Sequence, residues 1–106
     1  MNLRKAILNA IDIFDWNQAF EMYKAAGWTL KHNGMEYIPT PLDLINDAKK
    51  LARNFPVSSE SLDCIDSISY QSGSGIKIQA DSGLSGIITI SIIKSTVFSC
   101  YNLKDF

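Results

Sequence analysis

Asp15-Trp16-Asn17-Gln18-Ala19-Phe20, then Ala26-Gly27-Trp28, then Ile38-Pro39-Thr40-Pro41-Leu42 follow one another within the stretch Asp15 to Leu44. Asp15 with Gln18 three positions on is a capping-box pattern, so a helix starts near Trp16. Trp16, Phe20 and Tyr23, helped by Ala19 and Ala26, are spaced to form its inward face. Gly27 stands where a left-handed C-cap is needed, and Trp28 folds back onto the helix. Thr40-Pro41-Leu42-Asp43 is a second start signal: an N-cap threonine, proline at the first helical position and an acid at the third. Between the two helices, Trp28-Thr29-Leu30-Lys31 and Met35-Glu36-Tyr37-Ile38 flank His32-Asn33-Gly34 and predict a short hairpin with His32 in its turn. Four-residue strands cannot stand alone, so the hairpin is expected to lie on the helices or join a later sheet.

Upstream, Leu3, Ile7, Ala10, Ile11 and Phe14 recur at helical spacing, predicting an amphipathic helix over residues 3 to 14 with Arg4, Lys5, Asn9 and Asp12 toward water. Downstream of Thr40, one helix face carries Leu44, Ile45, Ala48, Leu51, Ala52 and Phe55. Lys49, Lys50 and Arg53 suit the negative end of that helix dipole and read as a solvated face, and Asn54-Phe55-Pro56 ends the helix.

Composition changes near Pro56. Residues 1 to 57 hold both tryptophans and no serine, whereas all twelve serines follow Val57, so the first half reads helical and the second reads strand. Ser58-Ser59-Glu60-Ser61-Leu62-Asp63 is a polar connector. Ile68 and Tyr70 alternate with Ser67, Ser69 and Gln71; Ile76, Ile78 and Ala80 with Lys77 and Gln79; Ile88, Ile90 and Ile92 with Thr89 and Ser91. Ser72-Gly73-Ser74-Gly75 and Asp81-Ser82-Gly83 are the turns, giving an antiparallel meander with one wet face and helices over the other. Ile87 to Ile93 is apolar on both faces and is expected to be central or covered. Residues 95 to 106, with Val97, Phe98, Tyr101, Leu103 and Phe106, extend the last strand or dock as an irregular segment, and are the natural self-association surface. The expectation is a single α+β domain over residues 1 to 106: N-terminal helices with a short hairpin, packed on a C-terminal antiparallel sheet.

Composition also narrows function. Apolar residues make up 46% and charged residues 20%, and the formal net charge is -1 with a pI near 5.7. Ten scattered Lys and Arg form no basic stripe for phosphates, and eleven Asp and Glu do not make an acidic nucleic-acid mimic. Direct nucleic-acid binding is therefore not expected. The N-terminus lacks an h-region and a cleavage site, and no apolar run exceeds four residues, so the expected location is the cytoplasm, with no membrane contact. Cys64 and Cys100 then read as buried small hydrophobes rather than a bridge.

Chemical constellations are sparse. His32 is the single histidine and has no nucleophile or orienting acid at a telling spacing. A zinc site needs about four Cys or His ligands, which Cys64, Cys100 and His32 do not supply. Ser72-Gly73-Ser74-Gly75-Ile76 looks like a phosphate-cradling loop but lacks a following lysine and leads into a strand, so it reads as a β-turn. Asp63, Asp66 and Asp81 sit around turns, where acids bond backbone amides. The expectation is no enzyme, no cofactor and no metal.

Asp15-Trp16, Gly27-Trp28, Pro39-Thr40 with Leu44, Ala48 and Leu51, and the Ser-Gly-Ser-Gly turn with Asp81-Ser82-Gly83 resemble a small, uncharacterised family of accessory proteins encoded by bacteriophages and prophages. The resemblance covers roughly residues 10 to 93. Leu30 departs from it, standing where the pattern prefers a second aromatic, as does the hydrophobic tail after Lys94. It implies a protein that binds a host protein or complex in a bacterial cell, including components of defence systems. The functional expectation is a protein-binding module, an anti-CRISPR-like inhibitor acting by steric occlusion. Its surface would involve Lys31, His32, Asn33 and Glu36 on the hairpin or Lys77 and Gln79 on the open sheet face. The alternatives are a self-associating assembly protein, dimeric through the tail or a sheet edge, and a toxin-immunity protein.

Overall fold

Caps supplied by the chain set where its helices begin and end. The computed structural model describes residues 2–57, 67–81, 86–92, 98–102 and 106. Helix α1 spans Leu3–Ile13, and the Asn2 side chain accepts from the Lys5 amide at 2.9 Å. Its stripe Leu3, Ala6, Ile7, Ala10 and Ile11 is buried. Phe14 is extended, and after Asp15 helix α2 runs over Trp16–Ala26. Asp15 accepts from the Gln18 amide at 3.0 Å, and Gly27 takes the left-handed conformation (φ 69°) that a side chain would resist. The Trp16 indole N–H donates to the Ile11 carbonyl at 2.7 Å, satisfying one of the free carbonyls at the end of α1 and locking the angle between the two helices. Trp16, Ala19 and Tyr23 form the buried face of α2 as expected; Phe20 is half-buried and Ala26 exposed, because the helix runs out over the core edge.

Strands β1, Leu30–His32, and β2, Met35–Tyr37, form their own two-stranded antiparallel sheet. His32 pairs with Met35, so the turn is Asn33-Gly34 alone. Both turn residues have positive φ, 51° and 78°, the signature of a type I′ turn, whose twist matches paired strands. One expectation is corrected here: His32 belongs to a strand. Of the two placements expected for the hairpin, joining the larger sheet is not the one adopted. Trp28, edge-on to Tyr23 at 5.7 Å, and the buried Pro39 anchor its base, which is how so short a ribbon persists.

Helix α3 spans Pro41–Ala52 with the complete reciprocal capping box: the Thr40 hydroxyl accepts from the Asp43 amide at 3.2 Å, and the Asp43 carboxylate from the Thr40 amide at 3.0 Å. Leu44, Ala48, Leu51, Ala52 and Phe55 are buried and Ile45 is packed beside them. Arg4, expected to face water, instead reaches across from α1 and donates from Nε and Nη2 to the Phe55 carbonyl at 3.1 and 2.6 Å. A guanidinium fork closing on one carbonyl satisfies a backbone acceptor just past the end of α3, which is why the side chain is drawn inward.

The sheet has four strands, β3 Ser67–Gln71, β4 Ile76–Asp81, β5 Ile87–Ile92 and β6 Phe98–Asn102, in that order and all antiparallel. Ile76, Ile78 and Ala80 of β4 and Ile88, Ile90 and Ile92 of β5 are buried beneath α1 and α3, and they join the helical residues in one core. Alternation leaves a second face of Ser69, Gln79, Thr89 and Cys100, and of Gln71, Lys77 and Ser91, turned away from the helices. Phe98–Asn102 corrects the expectation that the tail extends the last strand or docks irregularly: it is a separate fourth strand, paired to β5 by backbone hydrogen bonds, and β5 is central as expected. Cys100 departs from expectation: it is exposed on this polar face, with its sulfur 3.7 Å from the Thr89 hydroxyl. The expectations for Ser58–Asp63, Cys64, Asp66, Ser82, Gly83, Ile93, Lys94, Val97 and Leu103 fall outside the described residues.

Candidate functional site

The six residues favoured from sequence fall into two groups. Lys31, His32, Asn33 and Glu36 are exposed on the hairpin, where Lys31 and Glu36 are cross-strand partners with Nζ and Oε1 3.9 Å apart. At that distance and exposure the pair contributes little to stability. Lys77 and Gln79 lie on the polar face of the sheet, half-buried among their strand neighbours, and Gln79 donates to Asp81 at 2.9 Å. The hairpin stands beside α3 on the helical side, so the two groups are not brought together into one site.

The hairpin carries more than those polar residues. Met35 is 73% exposed, Tyr37 42%, Ile38 39% and Leu42 65%, four large apolar side chains between positions 35 and 42. Met35 and Tyr37 alternate on one face of β2 opposite His32 and Leu30. Monomeric domains scatter exposed apolar residues singly; a run of them on a projecting element marks a contact surface. In the sequence these residues carry only strand and helix-start signals. The clue available was that a hairpin turned by Asn-Gly has two faces and α2 and α3 can cover only one of them.

Between the hairpin and α3 lies a cleft of about 460 Å³, lined by Leu30, Lys31, Tyr37, Asp47, Lys50, Leu51 and the turn Ser72-Gly73-Ser74. The Ser-Gly-Ser-Gly segment is a β-turn, as expected: the Gly75 amide donates to the Ser72 carbonyl at 3.1 Å and the Ser72 amide to the Ile76 carbonyl at 2.8 Å. Ser74 is 3% exposed, and its hydroxyl meets that of Ser72 at 2.7 Å. Beneath the turn, the Tyr23 hydroxyl is buried and, among the described residues, has no hydrogen-bond partner. Burial, and secondarily the nearby Asp47 carboxylate, push the Tyr23 phenol above its ordinary value. A second cavity of about 360 Å³ is lined by Asn2, Lys5, Ala6, Asn9 and Phe106, which brings the last residue of the chain back to the start of α1.

Among the described residues no three of His, Cys, Asp and Glu gather closely enough to hold a metal ion, and no helix is long and apolar enough to cross a membrane. Comparison of the chain with protein-family models, with curated proteins and with solved structures finds no match.

Proposed function

We propose that this chain is a protein-binding module, without enzymatic activity, that uses the β1–β2 hairpin and the start of α3 to cover a surface on its partner. One observation carries the reading: Met35 and Tyr37 on the hairpin, Ile38 just after it and Leu42 in the first turn of α3 are all exposed large apolar side chains within eight positions of chain. Methionine and tyrosine suit such a role, one because its flexible thioether adapts to irregular surfaces, the other because it offers a large area at low entropic cost. His32 pairs with Met35 on the same face of the ribbon, Lys31 and Glu36 pair on the other face, and Asn33 is in the turn, so exposed polar residues flank the apolar ones as at an interface rim. The resemblance to phage and prophage accessory proteins supplies the class of partner: a host protein complex, with components of bacterial defence systems foremost, blocked by occlusion in the host cytoplasm.

The test is differential capture. The full chain, a Met35→Ser/Tyr37→Ser variant and a Lys77→Ala/Gln79→Ala variant are immobilised and exposed to the same bacterial lysate. A protein retained by the first and third and lost from the second supports the reading. Retention unaffected by the hairpin variant, or no specific retention, overturns it.

A second reading has its own observation. Strand β6 is terminal in the sheet order, and a terminal strand offers unpaired backbone N–H and C=O groups to a further strand. A dimer formed through β6 would double the mass seen by light scattering. A monomer at every accessible concentration removes that reading.

A further inference from the structure

The hairpin offers backbone as well as side chains, and its register says which groups. A two-residue type I′ turn closes with the Met35 amide donating to the His32 carbonyl, so bonded and non-bonded pairs alternate from there along the ribbon. His32 with Met35, and Leu30 with Tyr37, exchange their backbone groups. Lys31 and Glu36 do not, and their N–H and C=O groups point away from the partner strand. Along β2 the next residue of that orientation is Ile38, kept extended by the proline that follows it. The outer edge of β2 thus presents two donors and two acceptors at the two-residue repeat of a strand. Among the described residues these groups have no backbone partner, and no further strand joins the ribbon.

We propose that this edge takes an extended segment of the partner protein as a third strand, an inference that rests on the use of the hairpin as the contact surface and names what the hairpin contacts. Proteins commonly blunt an unpaired edge with lysine, proline or a bulge. Strand β1 carries Lys31, which lines the cleft beside α3. Strand β2 has none of these devices: Met35-Glu36-Tyr37 pairs in unbroken register, and the first proline is Pro39. Met35, Glu36 and Ile38 are exposed and do not line the cleft, so the edge of β2 is the open one.

Side chains restrict the segment. An added strand sets residues opposite Met35, Glu36 and Tyr37 in turn, each on the same face as the residue it meets. Opposite Met35 and Tyr37, apolar side chains cover area that otherwise stays wet. Opposite Glu36, whose carboxylate lies 3.9 Å from Lys31 Nζ with both side chains mostly exposed, a lysine or arginine supplies a second cation. The segment is therefore extended, reads apolar, basic, apolar, and carries no proline where its amides meet the edge.

Random peptides displayed and selected on the immobilised full chain, with binders to a Met35→Ser/Tyr37→Ser variant removed, supply the probe. One selected peptide is then synthesised with an N-methyl group at each residue in turn, a test that leaves the protein unaltered. Methylation should weaken binding about tenfold at alternate residues and by less than about twofold at those between. In the complex, hydrogen exchange at the Glu36 and Ile38 amides should slow. Ile38→Pro, which deletes one edge donor, should weaken binding about tenfold relative to Ile38→Ser, which keeps it. Peptides that need Met35 and Tyr37 but tolerate methylation everywhere, or are sensitive with helical periodicity, would overturn the strand inference and leave the contact surface standing. A selection yielding no peptide dependent on Met35 and Tyr37 would also overturn it, and the differential capture above then decides the contact surface by itself.

Discussion

The hydroxyl of Tyr23 lies 3.2 Å from where a Cβ on residue 75 would stand, so the buried aromatic of α2 and the glycine at the start of β4 define each other. Gly75 also has φ +85°, a conformation costly for any L side chain. Gly75→Ala is expected to lower stability by about 1 to 3 kcal/mol in urea unfolding. Adding Tyr23→Phe should return the steric part and leave the backbone part, on the order of 1 kcal/mol. A double variant as stable as Tyr23→Phe alone would show that the backbone at this position carries no cost.

Tyr23→Phe alone removes a buried hydroxyl that has no partner among the described residues, and should be neutral or stabilising by up to about 1 to 2 kcal/mol near neutral pH. The two proteins should also differ in alkali. Burial first, and the Asp47 charge second, raise the folded-state pKa of Tyr23 above its ordinary 10.0, so above that pH the unfolded chain loses the proton more readily than the folded one. The contribution is fully present below about pH 10 and is lost as pH rises through the folded-state pKa. Urea midpoints between pH 8 and 11 should therefore fall more steeply for the parent chain than for Tyr23→Phe.

Arg4 ties α1 to the end of α3 through the Phe55 carbonyl. Arg4→Ala should cost about 1.5 to 3 kcal/mol, the range for a hydrogen bond to a charged group. Arg4→Lys should recover part of it, because an ammonium cannot reproduce the two-nitrogen fork. Thermal unfolding of the three proteins orders them.

Thr40→Ala removes half of a reciprocal capping box and should cost about 1 kcal/mol. Met35→Ser/Tyr37→Ser, on exposed side chains, should change stability by no more than about 0.5 kcal/mol. A larger loss in the hairpin variant would mean that the hairpin belongs to the core, and any lost partner binding would then have a folding explanation.

Removal of residues 98 to 106 should convert a well-behaved chain into an aggregating one. It strips β6 from β5 and leaves the isoleucine-rich strand Ile87–Ile92 as an open edge. Size-exclusion chromatography of the shortened chain checks this, and a soluble monomer would contradict it.

Local chemistry explains which expectations held. Caps and glycine turns act over three or four residues, so Asp15, Gly27, the Thr40–Asp43 box and Asn33-Gly34 could be read directly, and so could the period-two alternation that builds β3, β4 and β5. Arg4 and Cys100 were misplaced for one shared reason: each is positioned by a neighbour distant in sequence, Phe55 for Arg4 and Thr89 across the sheet for Cys100. His32 differs by one position at a strand end, where pairing with Met35 narrows the turn to Asn33-Gly34.

The stretch from Asp15 to Leu44 determined by itself that two helices flank a hairpin, because its signals are covalently local. Only the tertiary structure decided what that hairpin presents. Packing of Trp28 on Tyr23 and burial of Pro39 hold its base, leaving Met35 outward, and bring Lys31 and the half-exposed Tyr37 into one cleft with Lys50, Asp47 and Ser74. Those residues span more than forty positions of chain. No periodicity links them, since the side chains meet only after the sheet has formed and the core beneath has closed.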